Sequence, residues 1–299
     1  MTTISAMPAQ LTVRAALALA SRAPSIHNTQ PWRCRLEGST LHLDADLSRW
    51  SARNDPDRRD LVTSCGALLH HLEVSLAGHG FGCAVHRLPL GSGPTCLATL
   101  DLQAGGPSHR ASTTTRAIAR RFSDQRPFIP VPVPAVALAE LVDAAESRGA
   151  LLRTVDVGCS DEIDRRLLVE AARLEQDGTA WRTALLPSAD PRRSAGCHLG
   201  PSTDGATFVE LATTSDDALS WLRGGEALSA VLLRATELGV SSCPVSRRAE
   251  VTSGRAGLDE VGFEGMACPQ LLVRVGWPLT RTLLARTRRR GLDDIFRQV

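Results

Sequence analysis

The sequence contains no lysine and no tyrosine among its 299 residues, so all 34 basic residues are arginines. A lysine Schiff base is therefore excluded, and with it pyridoxal phosphate and class I aldolase chemistry. A Walker A phosphate loop also requires lysine and is excluded. Arginine keeps its charge and presents a planar fork of donors, which suits phosphate oxygens.

The eight cysteines form no CxxC pair, and no cysteine–histidine spacing matches a zinc site. Scattered cysteines favour small core residues in a reducing cytoplasm over a disulfide framework. The adjacent His70 and His71 do not indicate a metal site, because neighbours on a helix point about 100° apart and do not face each other. We therefore expect no bound metal.

The chain also lacks a long apolar run and a large charge. No stretch is long and apolar enough to cross a bilayer. The apolar segment 11–20 is interrupted by Arg14, which favours an amphipathic helix over a signal peptide. A net charge of +2 and 4% aromatic residues argue against a nucleic-acid binder. We expect a cytoplasmic protein with neither a membrane nor a nucleic-acid partner.

With 43% hydrophobic residues the chain can bury a full core. The apolar spacing predicts helices over 11–21, 60–76 and 217–238, and Gly224-Gly225 predicts a weak point in the last of these. A β-hairpin is predicted within 32–44. Further strands are predicted at 81–88, 95–102, 151–157 and 269–276. Irregular alternation of helices with hairpins favours an α+β fold, and the absence of GxGxxG argues against a Rossmann domain.

Two separated fragments carry the strongest functional signal. Residues 23–32 read APSIHNTQPW, and residues 120–128 read RRFSDQRPF. The first resembles the APSxxNxQPW segment of FMN-dependent nitroreductases, and the second resembles their opening RRSxRxF segment. Their order is reversed here. The runs at 55–59 (DPDRR) and 64–72 (SCGALLHHL) resemble the Acg-like subgroup of that superfamily.

The reversed order indicates an internally duplicated chain in which each half kept a different part of the site. The resemblance implies two fused nitroreductase-like halves, 1–112 and 113–299, which mimic the dimer of the family. It further implies one complete flavin site at the contact between the halves and a degenerate second site. We therefore expect a monomeric pseudo-dimer.

The resemblance implies FMN contacts from three kinds of segment. On the ring side the matching residues are Pro24, Ser25, Ile26, Asn28 and Gln30. On the phosphate side they are Arg121, Ser123, Arg126, Arg288 and Arg289, and beside flavin N5 they are Ser241 and Ser242. Gln125 is an alternative to Arg126 for the second basic position. No catalytic side chain is predicted, because flavin N5 would carry the chemistry.

Each segment also has a purely structural interpretation. Residues 24–32 could be a helix-to-strand turn with a core tryptophan. The basic runs 120–126 and 288–290 could be solvated surfaces. The match of residue spacing favours the functional interpretation, above all for the first segment.

The implied function is reduction of nitroaromatics or quinones by two electrons from NAD(P)H, with one FMN per chain. The alternative is a protein that sequesters or stores flavin. Residues 178–206 motivate this alternative, because they lack periodicity and carry several prolines and glycines. A long loop of that kind is often a lid, and a closed lid would deny nicotinamide access to the ring.

Overall fold

The computed structural model describes residues 10–105, 109–155, 205–245, 267–278, 280 and 286–298. The chain forms two compact units. The first unit comprises residues 1–121, 216–237 and 287–299, and the second comprises 122–215 and 238–286. The predicted lid at 178–206 lies almost wholly outside the described residues and stays a prediction.

The described elements are numbered here in chain order. The helices are α1 (Gln10–Ala20), α2 (Arg59–Gly78), α3 (His109–Arg120), α4 (Ala135–Glu146), α5 (Ala218–Leu238) and α6 (Leu292–Ile295). The strands are β1 (Trp32–Glu37), β2 (Thr40–Ala45), β3 (Phe81–Arg87), β4 (Cys96–Ala104), β5 (Phe128–Ile129), β6 (Leu151–Val155), β7 (Thr207–Thr213), β8 (Ser241–Val245), β9 (Cys268–Pro278) and β10 (Phe296–Gln298). No described helix is long and apolar enough to cross a membrane.

The sheet of the first unit has the order β10-β1-β2-β4-β3, in which only β10 runs parallel to its neighbour. Trp32, Cys34 and Leu36 of β1 are buried and alternate with more exposed residues, as the period of a strand dictates. They join Leu68 and Leu72 of α2 in the main hydrophobic core. This packing fixes the segment that precedes β1.

The sheet of the second unit has β9 at its centre. β7 pairs antiparallel with β9 and β6 with β7, while β5 and β8 also pair with β9. Residues 269–276 of β9 are all buried, the polar Gln270 and the charged Arg274 included. Helix α4 contacts β6.

The two sheets share one connectivity. An antiparallel strand pair (β1–β2), a long helix (α2) and a second antiparallel pair (β3–β4) recur as β6–β7, α5 and β8–β9. The strand orders β1-β2-β4-β3 and β6-β7-β9-β8 correspond. Gly80 follows α2 with a φ of +83°, and Gly239 follows α5 with a φ of +75°. Such left-handed glycines end helices. The predicted α+β fold is confirmed, and the shared connectivity of the two sheets is compatible with two fused halves.

Helices α2 and α5 pack closely in the first unit through two glycines. A Cβ on Gly66 would clash with the carbonyl oxygen of Leu222, and a Cβ on Gly225 would clash with that of Thr63. Each glycine thus lies against the carbonyl three residues before the other glycine, the reciprocity expected of a twofold contact. The predicted weak point at Gly224-Gly225 is wrong, because α5 is continuous and the missing side chain allows this approach.

The predicted boundary after residue 112 falls within α3. Residues 216–237 and 287–299 pack with the N-terminal part of the chain. Packing of this kind is a property of the folded chain and not of a repeated sequence. The division into 1–112 and 113–299 therefore stays a prediction about sequence repeats.

Candidate functional site

The segment before β1 is held in an unusual backbone conformation. A 3-10 turn spans Ile26–Asn28. His27, Asn28 and Gln30 have φ of 52°, 56° and 49°, in the left-handed region that residues other than glycine seldom adopt. Ser25 Oγ accepts a hydrogen bond from the Gln30 backbone N–H at 3.0 Å. Strain of this kind persists where the surroundings enforce it and often marks functional sites.

The side-chain amides of this segment bind the C-terminal arginines within the first unit. Asn28 Nδ2 donates to the Arg288 carbonyl at 3.2 Å, and Asn28 Oδ1 accepts from Arg289 Nη1 at 3.1 Å. Gln30 Oε1 accepts from the Arg290 backbone N–H at 2.8 Å. Residues from both predicted halves therefore meet in one unit.

Arg290 is anchored on its other side. Its Nη1 donates to the carbonyls of Gln30 and Trp32 at 3.0 and 3.1 Å and lies 3.1 Å from Asp46 Oδ2. Burial opposes ionisation of Asp46, but bonds from Arg33 and Ser48 and the nearby arginine charges lower its pKa. Asp46 thus stays charged and fixes the start of the tail that continues into β10.

Arg121 and Arg289 converge on one oxygen atom. Arg121 Nη2 and Arg289 Nη2 both donate to the Arg22 carbonyl, each at 3.2 Å. Arg121 is 7% exposed. Burial, then the charges of Arg289 and Arg22, lower the pKa of Arg121 to about 9. Burial and the Arg22 charge lower the pKa of Arg289 to about 10.

The two guanidinium groups keep unused donors. Arg121 Nε, Arg121 Nη1 and Arg289 Nε are buried and have no hydrogen-bond partner in the described part of the chain. No described carboxylate bonds to either group. Buried donors and buried charge both carry a free-energy cost unless they are compensated. A bound dianion such as a phosphate group would satisfy both requirements.

His71 borders this cluster. Its Nδ1 lies 3.1 Å from the Ala67 carbonyl and 2.7 Å from Ser229 Oγ, while Nε2 is buried without a partner among the described residues. Burial, then the charge of Arg121, lowers the pKa of His71 well below its usual value. His71 is therefore a neutral neighbour of the arginines near neutral pH.

His70 Nδ1 also lies 2.7 Å from Ser229 Oγ. Two adjacent histidines on α2 therefore reach one hydroxyl on α5, although we expected their side chains to diverge. Among the described residues no three His, Cys, Asp or Glu side chains are placed to hold a metal ion. The histidines tie the two helices together.

The remaining predicted contacts lie in the second unit. Ser123 forms a bridge with Ser242 of β8, and the Asp124 N–H donates to the Ser242 carbonyl at 3.0 Å. Arg126 Nε and Nη2 donate to the two oxygens of buried Asp124 at 2.9 and 2.8 Å. This hydrogen bond raises the pKa of Arg126. The proposed phosphate contact of Arg126 stays a prediction, but much of its fork is already occupied.

Comparison with known proteins defines the relationship of the chain. No protein-family model matches it. A Mycobacterium tuberculosis H37Rv protein, provisionally named NAD(P)H nitroreductase Rv3131, is 35% identical over 95% of this chain and 90% of the relative. The chain belongs to the nitroreductase family, in its Acg-like subgroup. The acg nitroreductase of the same organism is 30% identical over 95% of this chain and 95% of its own length.

A solved structure shares the fold. A structure from Anabaena variabilis ATCC 29413, provisionally described as a nitroreductase, aligns with a TM-score of 0.52 at 12% identity. It covers 80% of this chain and 69% of its own. The likeness supports the nitroreductase architecture seen in the two sheets.

Sequence reasoning missed two members of this arginine cluster. Arg22 contributes its carbonyl and its charge, and His71 was considered only as a metal ligand. Arg22 lies directly before the APSIHNTQPW segment, so its position was a usable signal. Nothing local distinguishes His71, because its role depends on arginines far away in the chain.

Proposed function

We propose that this nitroreductase-family protein holds one FMN per chain and reduces small nitroaromatic or quinone substrates with electrons from NAD(P)H. The observation that carries the proposal is the buried pair of Arg121 and Arg289 with donors unused by the described residues. FMN is the flavin that the family motifs imply. The names of the M. tuberculosis relatives supply NAD(P)H as the electron donor.

The residues fit the phosphate end of FMN. A well-placed charged hydrogen bond stabilises a complex by roughly 1.5–3 kcal/mol, so three unused donors are enough to retain the cofactor without a covalent link. A dianion would also offset the repulsion among Arg22, Arg121 and Arg289, and so raise the lowered pKa values of the last two.

The remaining contacts in the proposal follow the family resemblance. Pro24, Ser25 and Ile26 would lie on the ring side of the ligand in the first unit. Ser25 is already committed to the Gln30 N–H, so its part is to hold the turn. The rigid, left-handed turn provides a preformed support for a planar ligand.

FMN, when bound, supplies the redox chemistry by accepting a hydride from NAD(P)H and passing electrons to the second substrate. The residues of the chain bind and orient the cofactor. No acid or base from the protein is required in this proposal.

The test begins with freshly purified protein and FMN. We expect a yellow protein with one released FMN per chain, in a particle with the mass of a monomer. Anaerobic NADH or NADPH should bleach the flavin rapidly. Protein that is colourless and does not take up added FMN overturns the proposal.

The same titration separates the enzyme from the storage alternative. A flavin that dithionite bleaches but NADH and NADPH leave yellow would support a flavin holder. Removal of residues 178–206 should then restore bleaching, because the storage hypothesis makes that segment the lid. Rapid bleaching of the full chain contradicts the storage hypothesis.

A further inference from the structure

The amides of the APSIHNTQPW segment have their hydrogen bonds inside the protein. Asn28 uses Nδ2 on the Arg288 carbonyl, and its Oδ1 accepts from Arg289 and from Gln30 Nε2 at 3.3 Å. Gln30 uses Oε1 on the Arg290 N–H. Its Nε2 also approaches the Asn28 and Arg288 carbonyls at 3.2 and 3.5 Å.

An amide has a fixed capacity for hydrogen bonds. Gln30 is 2% exposed, and both ends of its amide are engaged. A direct bond from Gln30 to the flavin ring would require the present bonds to break. Asn28 uses its oxygen on Arg289 and Gln30 and one Nδ2 hydrogen on the Arg288 carbonyl. Their hydrogen bonds hold the three arginines of the C-terminal segment, Arg288, Arg289 and Arg290.

We infer that Asn28 and Gln30 are positioning residues, which set Arg289 for the cofactor phosphate and do not read the flavin ring. This inference rests on the proposed binding of FMN. It replaces the ring-edge role that the family resemblance implied for both residues. The ligand group that Asn28 and Gln30 help to bind, through Arg289, is therefore a phosphate monoester.

Charge repulsion explains why such positioning is needed. Arg289 lies near Arg121 and Arg22, so like charges oppose its present place. The amides fix the carbonyl of Arg288, the guanidinium of Arg289 and the N–H of Arg290. Three consecutive residues are thus held by two side chains. Without these bonds the arginine could move towards solvent.

The left-handed turn aims the amides at the segment. Asn28 and Gln30 have φ of 56° and 49°, and asparagine tolerates this region better than most residues. Substitution of Asn28 by glycine keeps the backbone conformation accessible and removes only the amide. Asn28→Gly is therefore the variant that isolates the side chain.

The experiment compares FMN with riboflavin, which has the same ring and lacks the phosphate. We expect Asn28→Gly to weaken FMN binding about tenfold, the equivalent of one charge-assisted hydrogen bond. Riboflavin binding should change less than about twofold. Binding is followed by quenching of flavin fluorescence, so the readout does not depend on turnover.

A double-mutant cycle with Arg289→Gln provides the matched background. Once Arg289 is neutral, loss of Asn28 should have no further effect on FMN affinity. Equal weakening of FMN and riboflavin, or full additivity with Arg289→Gln, overturns the inference. If Asn28→Gly does not fold, Asn28→Ala also removes the amide, and the same FMN-to-riboflavin ratio decides.

Failure of the inference is distinguishable from failure of the proposed function. Wild-type protein that binds neither FMN nor riboflavin overturns both. Wild-type protein that binds FMN, with an Asn28→Gly variant that loses both ligands equally, overturns only the positioning role.

Discussion

Arg126 and Arg121 follow closely in sequence but have opposite electrostatic surroundings. Arg126 donates through two nitrogens to the buried carboxylate of Asp124. Arg121 is buried beside other arginines, and no described carboxylate bonds to it. The first arrangement satisfies a charge within the protein, whereas the second leaves a charge that a ligand can satisfy. Residue type alone therefore does not mark a phosphate site.

The Arg87–Glu226 pair in the first unit extends the comparison. Arg87 Nε and Nη2 donate to the two oxygens of fully buried Glu226, both at 2.7 Å. Like Arg126, Arg87 has its pKa raised by the hydrogen bond to its carboxylate. Arg87 and Arg126 thus have a raised pKa, whereas Arg121 and Arg289 have a lowered one.

The largest expected effect comes from removal of the compensating carboxylate. Asp124→Asn should lower the free energy of unfolding by about 2–3 kcal/mol, because Arg126 would lose its charged partner. Urea unfolding followed by circular dichroism measures this loss. The Asp124→Asn/Arg126→Gln double variant should recover part of it, and the absence of any recovery would show that the pair is not coupled.

Removal of an arginine without a carboxylate partner among the described residues should weaken cofactor binding and leave the stability of the apo protein intact. Arg121→Gln should weaken FMN binding about a hundredfold, which corresponds to roughly 2.7 kcal/mol. The apo protein should be no less stable than wild type, since a buried charge disappears. Arg116→Gln on the exposed side of α3 is the control and should leave FMN binding unchanged. If Arg121→Gln instead destabilised the apo protein strongly and left FMN binding intact, Arg121 would be a structural residue and not a phosphate ligand.

A smaller effect is expected from the pH dependence of His71. Its pKa is lowered in the folded state, so the unfolded state binds more protons as pH falls below the ordinary value of 6.5. Above that pH, His71 should therefore not affect the free energy of unfolding. At one pH unit below it, protonation of His71 in the unfolded state should have lowered this free energy by about 1 kcal/mol.

The matched variant is His71→Asn, whose Nδ2 can replace Nδ1 as a donor to the Ala67 carbonyl. Thermal unfolding at several pH values should show a flatter profile for this variant. An identical slope in wild type and variant would exclude His71 as the source of the dependence.

The smallest expected effect is stabilisation by free inorganic phosphate. A ligand present at its dissociation constant stabilises the folded protein by about 0.4 kcal/mol. Phosphate should raise the unfolding temperature of the apo wild type, and chloride at matched ionic strength should not. The same rise in Arg121→Gln would show that the anion binds elsewhere.

Much of the architecture was predictable from residue patterns. The helix predicted at 60–76 is α2, and the hairpin predicted within 32–44 is β1–β2, because apolar spacing reports directly on helix and strand periods. The tight contact at Gly225 was not predictable, since glycine in a helix reads locally as a weakness. Only the opposing carbonyl of Thr63 explains it.

The candidate site was predictable in part. The motif at 23–32 identified Asn28, and the basic runs identified Arg121 and Arg289, all of which the structure places in one unit. The family pattern assigned the amides to the flavin ring. Their contacts with the C-terminal arginines depend on residues more than two hundred positions away, which no local pattern reports.

By itself, the sequence determined helices α1, α2 and α5, the hairpin β1–β2 and the family, because periodicity and motif spacing are local properties. The tertiary structure decided which arginines are compensated and which remain available. Asp124 lies two residues from Arg126, whereas Arg22, Arg121 and Arg289 are brought together only by folding. Electrostatic energy depends on distance in space, so the site emerges only when distant segments of the chain meet.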